Sequence, residues 1–375
     1  MSVAMTFQKH TGAVRRFSWL MKFSSWLQNI PNKITPPPFR LMQIGSAFWQ
    51  SRALYVATQV DIATSLGDER LSIEDIAMRV SASSEATHRL LRMLAAMGIF
   101  EEVSPRVFCN NKLSNHLRQD FPNNVRAMIL MHNSEEMSRP WYEQLEHGVR
   151  NDETPFQLSH GQDLFDHMST HPEFDALFSH AMDCVESLSG DSFAVDFDWG
   201  RFERVIDIGG SKGSKSLTIL KRHPHLQALI VDRPQVIKGA KQFWEGRLEE
   251  SLLARMRFQA GDLFKSLPEA NSDKDVFLLS AVLHCFDDDT CVEALKNVAL
   301  ACNGSGARIA LMEMVMTESN ADFVSTQFDM QMFMGTRGRE RTLAEWQHLF
   351  DRSGLLLDEV VNLQSFGKIL VVRPG

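Results

Sequence analysis

Val205-Ile206-Asp207-Ile208-Gly209-Gly210-Ser211-Lys212-Gly213-Ser214 is the stretch that decides the fold of this chain. The short apolar run Val205 to Ile208 reads as a buried strand. Glycines at 209, 210 and 213 permit positive φ and remove side chains that would keep backbone away from a ligand, and Ser214 opens a helix. Strand, glycine turn and helix together make a cofactor cradle. Dinucleotide folds use G-x-G-x-x-G with an acid about 20 residues further on; here the turn is Gly-Gly-Ser-Lys-Gly with Asp207 inside the strand end. An acid at that tip repels a diphosphate and suits a ligand carrying an ammonium group.

Working outward, strands and helices alternate from residue 200 onward. Arg204 to Ile208, Ala228 to Val231, Met256 to Gln259, Val276 to Leu279, Arg308 to Met312 and Ile369 to Val372 read as strands. Ser214 to Lys221, Val236 to Trp244, Asp289 to Ala301 and Leu343 to Ser353 read as the intervening helices. The alternation predicts an α/β domain with a parallel, doubly wound sheet, whose ligands sit at the carboxyl ends of the strands. Asp207, Asp232 and Asp262 all fall at such ends. The Asp232 carboxylate is placed to accept both hydroxyls of a ribose, and Gly261-Asp262-Leu263-Phe264 offers an adenine both polar and apolar contact.

Residues 41–195 read as mostly helical. Leu71 to Ala77 is a short helix capped by Ser72, Ser83 to Leu94 a second helix, and Gly98 its stop. Ile99 to Val103 and Val107 to Cys109 then form a hairpin around Ser104-Pro105, which completes a winged-helix pattern. The second helix carries His88, Arg89 and Arg92, as a DNA-reading helix would. An acidic chain with glutamates near that helix favours a structural winged helix instead.

The first 40 residues form a separate extension. No Asp or Glu occurs from Met1 to Val60, while Lys9, Arg15, Arg16, Lys22, Lys33, Arg40 and Arg52 are basic. Phe17, Leu20, Met21, Leu27 and Ile30 recur near helical spacing, with Trp19, Phe23 and Trp26 widening the apolar face. This arm is expected to pack on a partner subunit; a membrane-surface helix or an organelle transit segment are the other readings. Pro36-Pro37-Pro38 is expected to break the helix and mark a linker.

The 375 residues suffice for two ordinary cores. A formal charge of −8 argues against a nucleic-acid partner and for a small neutral or cationic ligand. Five cysteines at 109, 184, 285, 291 and 302 include no C-x-x-C pair, so neither a disulfide framework nor a metal site is expected. A reducing, cytoplasmic setting is the default, and no apolar run approaches the roughly 18 residues of a membrane span.

On these motifs, the chain from about residue 41 to its C-terminus resembles the small-molecule O-methyltransferases of the plant caffeic acid type, with their bacterial and fungal relatives. Asp207 to Gly213 is similar to the family's D-x-G-G-G-x-G turn, with Ser211 in place of the third glycine; the exchange is mild unless that position needs a positive φ. Asp232-Arg233-Pro234-Gln235-Val236 resembles the ribose-holding D-L-P-x-V, and Gly261 to Phe264 the adenine-binding G-D-x-F. Ser280 stands where many relatives carry a basic residue near the cofactor. Val282-Leu283-His284-Cys285-Phe286-Asp287-Asp288-Asp289 is similar to I-L-H-D-W-x-D-E, which implies His284 as general base. Glu313 and the Glu340 of Gly338-Arg339-Glu340-Arg341-Thr342, similar to G-K-E-R-T, are implied to flank that histidine. Cys285 replaces the aspartate that touches substrate in relatives, so chemistry transfers better than acceptor identity.

The resemblance implies a Rossmann-like methyltransferase domain (196–375) behind a winged-helix dimerisation and substrate-lining domain (41–195), with S-adenosylmethionine as cofactor and a homodimer as the working form. The expected acceptor is the hydroxyl of an aromatic small molecule. A phenol of pKa about 10 is ionised in only about one molecule in a thousand at neutral pH, so a base adds about 10²- to 10⁴-fold and alignment about 7–11 kcal/mol. A glutamate on the other imidazole nitrogen fixes the tautomer. Nineteen methionines suit a flat apolar acceptor: Met330, Met332 and Met334 alternate, Met128, Met131 and Met182 lie in the helical region, and Trp141 and Phe333 offer walls. Two other functions stay open, a cofactor-binding relative that hydroxylates or steers a pericyclic rearrangement, and a winged-helix regulator.

Overall fold

The structure, a computed structural model, describes residues 11–365 and 367–375. Lys9 and the rest of the first ten residues of the basic extension lie outside the described residues. The chain divides into two compact units: a helical one, Ser24–Leu188, and an α/β one from Ser189 to Gly375 that also takes in the described residues up to Phe23. The division at Ser189 comes earlier than the residue 196 expected from the sequence.

The described part of the acid-free segment begins with a helix, Thr11–Ile34, with Trp19, Leu20, Trp26 and Ile34 exposed along it. The triple proline does not make a linker. Pro36 has φ −56° and ψ 138° at the cap, and the prolines after it begin the next helix, Pro37–Gly45. Proline fits the first helical turn because the amide it lacks has no partner there.

In the helical unit, Ser72 Oγ accepts the Asp75 amide at 3.2 Å and caps the helix Ile73–Arg79. The second helix runs Ser84–Ala96 and ends at Gly98, whose φ is 76°. Strands β1 (Arg70–Ser72), β2 (Phe100–Ser104) and β3 (Val107–Asn110) form an antiparallel sheet in the order β1-β3-β2. Ile73, Ile76, Leu91, Leu94, Phe100 and Phe108 close the core between helices and wing. His88 on the second helix is turned to Arg106, at 3.1 Å, which also pairs with Glu74 at 2.8 Å and Glu85 at 2.9 Å. The Arg106 charge is therefore paired within this face.

The α/β unit is built on β4 (Arg204–Ile208), β5 (Gln227–Asp232), β6 (Met256–Ala260), β7 (Asp275–Ser280), β8 (Arg308–Met316), β9 (Arg341–Thr342), β10 (Leu355–Asn362) and β11 (Gly367–Pro374). The main order is β10-β11-β8-β7-β4-β5-β6, with β9 beside β8. From β8 to β6 the pairing is parallel, as expected. One edge adds antiparallel strands to this sheet: β11 runs antiparallel to β8 and β10 antiparallel to β11, with a register shift between Leu357 and Glu359. Alternate residues feed opposite faces, Ile206, Phe277, Leu279, Ile309 and Leu311 into one core cluster and Val205, Val276, Leu278 and Ala310 into the other. A sheet buried on both faces needs the near-continuous apolar runs found here. It also leaves its polar chemistry to the strand ends.

Candidate active site

At the carboxyl end of β4 the chain turns through Gly209 at φ 73°, Ser211 at φ 52° and Gly213 at φ 81°. The serine therefore takes the left-handed conformation that the replaced glycine would adopt without cost, and the exchange is a strained one. Space is short as well as conformation. A Cβ at Gly209 would lie 2.8 Å from Val282 Cγ2, and one at Gly210 would lie 2.6 Å from Asp207 Cγ. The turn thus leans directly on the segment that carries His284. It is anchored by the Gly209 amide on Val231 O at 2.8 Å and by the Trp244 indole on Lys212 O at 2.6 Å.

Each aspartate at the strand ends has a defined job. Asp207 is buried and accepts the Ser216 hydroxyl at 2.6 Å, so its carboxylate underpins the turn from within. Asp232 accepts the Ser211 amide on Oδ2 at 2.8 Å and the Arg233 amide on Oδ1 at 2.7 Å, which fixes both oxygens and leaves each a free lone pair. Asp262 accepts the Phe264 amide at 3.0 Å; that bond, and then Lys265 at 3.1 Å, hold its carboxyl below the usual range. Phe264 is half exposed and meets Phe286 edge to face at 5.3 Å, while Leu263 packs on the core. Gly261 is obligatory beside them, since a Cβ would lie 2.5 Å from Val231 Cγ1. Ser280, at the end of β7, keeps a buried hydroxyl oxygen with no hydrogen-bond partner among the described residues.

His284 sits in a single 3₁₀ turn, Leu283–Cys285, immediately after β7. It does not cap the following helix, because Asp287 accepts the Thr290 amide at 2.8 Å and does so itself. The imidazole is 18% exposed, and its Nδ1 lies 2.8 Å from Glu340 Oε1, a carboxylate that is almost wholly buried. Glu313 is buried too, but Oε1 takes the Val282 and Leu283 amides at 3.1 Å each, so it holds the backbone of the turn and not the ring. Of the two glutamates expected around the ring, Glu340 makes the contact. Burial works against the imidazolium, yet Cys285, Glu340 and Glu313 around it prevail and raise the His284 pKa well above 6.5. Burial raises the Glu313 pKa, with His284 opposing.

Residues 142–356 match an O-methyltransferase domain and residues 42–120 an O-methyltransferase dimerisation domain. The chain belongs to this O-methyltransferase family. It is similar to a phenazine O-methyltransferase of Lysobacter antibioticus, 31% identical over 335 residues that cover 89% of this chain and 95% of the relative. It also superimposes on the crystal structure of LaPhzM with a TM-score of 0.84 at 29% identity, covering 91% of this chain and 100% of that one. A third likeness is the O-methyltransferase NcsB1 of neocarzinostatin biosynthesis, solved with S-adenosylmethionine and 2-hydroxy-5-methyl naphthoic acid: TM-score 0.74, 25% identity, 87% and 96% coverage. The protein is an S-adenosylmethionine-dependent O-methyltransferase with a Rossmann-like sheet and an N-terminal helical dimerisation domain.

In this methyltransferase the residues read as acceptor walls do not all face open space. Met131, at 2% exposure, and Met334, at 0%, are buried side chains. Trp141 and Phe333 are partly exposed, and Met182 and Met330 are exposed. Met330 to Met334 belong to the helix Phe323–Gly335, where residues two apart point in different directions, so the alternation of methionines there has no common face. The sequence reading also missed Asp329, whose Oδ1 accepts the Glu340 amide at 2.9 Å, and the fully buried Arg341. Arg341 lies inside a quoted motif and Asp329 next to Met330, but nothing in their residue types signals these roles. None of the five cysteines forms a disulfide, and among the described residues no group of three or more His, Cys, Asp or Glu is placed to hold a metal ion. Among the described residues no helix is long and apolar enough to cross a membrane.

Proposed function

We propose that this methyltransferase transfers a methyl group to a hydroxyl of an aromatic small molecule, with His284 as general base and Glu340 as the group that orients it. The 2.8 Å bond from His284 Nδ1 to the buried Glu340 carries this reading, because it leaves Nε2 as the nitrogen free to accept a proton. The cofactor fits the residues present. Gly209 and Gly261 sit where a side chain would collide, Asp232 holds two oriented oxygens, and Ser280 has an unpartnered buried hydroxyl. Asp232 would hold the ribose hydroxyls; Asp262, Leu263 and Phe264 the adenine; Gly209 and the turn above Asp207 the amino-acid end; and Ser280 a neighbouring polar group. When bound, S-adenosylmethionine supplies an electrophilic methyl on a sulfonium, with a neutral thioether as leaving group.

The protein's part is alignment and proton removal. His284 takes the hydroxyl proton at Nε2 as the new O–C bond forms and the S–C bond breaks. Glu340 keeps Nδ1 protonated and stabilises the imidazolium, and Glu313 fixes the backbone turn through the Val282 and Leu283 amides. Trp141, Met182, Met330 and Phe333 are the candidates for acceptor contact. The relatives' names point to fused-ring hydroxylated aromatics, phenazines and naphthoic acids, as the first acceptors to try. The dimerisation match supports a homodimer, whose mass in solution tests it. His284→Gln, assayed with methyl-labelled cofactor and such a panel, should lower turnover about 10²- to 10⁴-fold while calorimetry shows cofactor binding intact. Full turnover in that variant removes His284 from the mechanism, and bound cofactor that never loses its methyl to any acceptor favours a non-transferring relative.

A further inference from the structure

His284 and Glu340 lie on segments far apart in sequence, and their contact requires the two to stay in register. One side chain spans both. Arg341, next to Glu340, has 0% exposure, and its guanidinium reaches three points around His284. Nη1 donates to Leu283 O at 3.3 Å, Nη2 to Phe286 O at 2.8 Å, and Nε and Nη2 to Asp288 Oδ1 at 3.0 and 2.8 Å. Its Cζ lies 5.3 Å from the centre of the Trp346 ring. From the same segment Gly338 presses on the turn so closely that a Cβ there would sit 1.8 Å from His284 O and 2.5 Å from the Cys285 carbonyl carbon.

A fully buried guanidinium is tolerable only where its donors are met and its charge is paired. Arg341 meets both conditions with residues 283, 286 and 288, which bracket His284 on both sides. A core arginine serving general packing would have no reason to spend its fork on one six-residue turn. Lysine cannot replace it, since a single ammonium lacks the planar fork that reaches separate carbonyls and a carboxylate together.

We propose that Arg341 is a positioning residue for methyl transfer, locking the turn 283–288 to the segment 338–342 so that Glu340 stays on His284. The inference rests on the reading of His284 as base. Its effect is felt where imidazole and carboxylate meet: the groups that face His284 are Cys285, Glu340 and Glu313, and only Glu340 is carried by the segment Arg341 fixes. When the register slips, the imidazolium loses that partner, and the acid limb of the kcat profile moves to lower pH.

The test compares Arg341→Lys with wild type and with His284→Gln, using the full-length chain. Expected for Arg341→Lys are a kcat lower by about 100-fold, the size of effect that a misplacement near 1 Å produces, an unchanged cofactor dissociation constant, an acid limb at lower pH, and loss of the downfield imidazole N–H proton resonance. A kcat, limb and resonance like those of wild type overturn the proposal, even if the thermal midpoint falls, because packing alone would give that pattern. Should Arg341→Lys not fold, Asp288→Ala removes the carboxylate end of the fork at a half-buried site and is judged by the same readings. Retained turnover in His284→Gln would instead overturn the base assignment, so the two failures are distinct.

Discussion

Replacing Glu340 by glutamine keeps the shape of the side chain and removes its charge from His284 Nδ1, 2.8 Å away. Charge centres about 4 Å apart interact by about 4 kcal/mol at an effective dielectric of about 20, so loss of the Glu340 charge destabilises the imidazolium. Cys285 and Glu313 remain in place, so the His284 pKa falls only part of the way back toward its ordinary value. The sign follows from which form works. His284 acts as base only when neutral, and its pKa is held above the ordinary value, so turnover rises as pH climbs through that raised pKa. Without the Glu340 charge the rise should begin at lower pH. Glutamine can also present its amide N–H₂ to Nδ1, forcing the proton onto Nε2, the nitrogen that must be free; in a serine-protease triad the comparable Asp-to-Asn exchange costs about 10⁴ in kcat. A fall of about 10²- to 10⁴-fold at the plateau is therefore expected together with the shifted limb. Rate against pH at saturating cofactor and acceptor measures both. A limb that stays put, or a plateau within about threefold of wild type, would refute the assignment of Glu340 as the orienting group.

Asp232→Asn removes a carboxylate whose two oxygens are already oriented by the Ser211 and Arg233 amides, so cofactor affinity by calorimetry should weaken about 10- to 100-fold. Turnover at saturating cofactor should change little, and an unaltered affinity would take Asp232 out of the cofactor site. Ser211→Gly relieves about 1–2 kcal/mol of left-handed strain at φ 52° and returns about 0.4–1 kcal/mol through the freer unfolded chain; the thermal midpoint should rise slightly, and a fall would mean the serine side chain contributes more than its strain costs. Gly338→Ala pushes a methyl against the His284 carbonyl and should cost about 1–3 kcal/mol of stability along with turnover. A stable and active alanine variant would show that the turn yields more easily than the 1.8 Å approach suggests.

Much of the catalytic sheet is legible because burial on both faces demands apolar runs. Val205 to Ile208 and Val276 to Leu279 announce themselves in that way, and the carboxylates stand out because they end those runs. The same logic hides β10. Leu355 to Asn362 carries Asp358 and Glu359 in mid-strand, which an edge beside β11 tolerates and a central strand would not. The helix Phe323–Gly335 is obscured for the opposite reason: apolar residues surround it without one dominant face, so periodicity gives no direction. Pro36 to Pro38 misleads because the same residue both stops helices and starts them. At the site, His284 and Glu340 are legible through their motifs, but the division of labour between Glu313 and Glu340 is not. Whether a glutamate meets a ring nitrogen or two backbone amides depends on a turn of three residues, Leu283–Cys285, that no composition records.

The arrangement also explains how two buried carboxylates can be kept beside one histidine. Removing a carboxylate from water costs several kcal/mol unless a positive charge or hydrogen bonds compensate it. Glu313 gains two backbone amides through Oε1 while Oε2 is left without a partner, and Glu340 gains the His284 ring. The pair is thus best compensated when one unit of positive charge stands nearby. In the free protein His284 supplies it, as its raised pKa indicates. In the proposed ternary complex the sulfonium would supply it, and His284 would be free to lose its proton and act as base. On transfer His284 would take up the proton of the acceptor hydroxyl and would itself carry the positive charge. Glu313 and Glu340 would then face one positive charge before and after transfer, so the buried site need not reorganise as the bond forms. It follows that the acid limb for kcat, which reports the loaded complex, should lie below the limb for kcat/KM of the cofactor, which reports the protein before the cofactor binds. Coincident limbs would mean that the carboxylates do not sense the cofactor's charge.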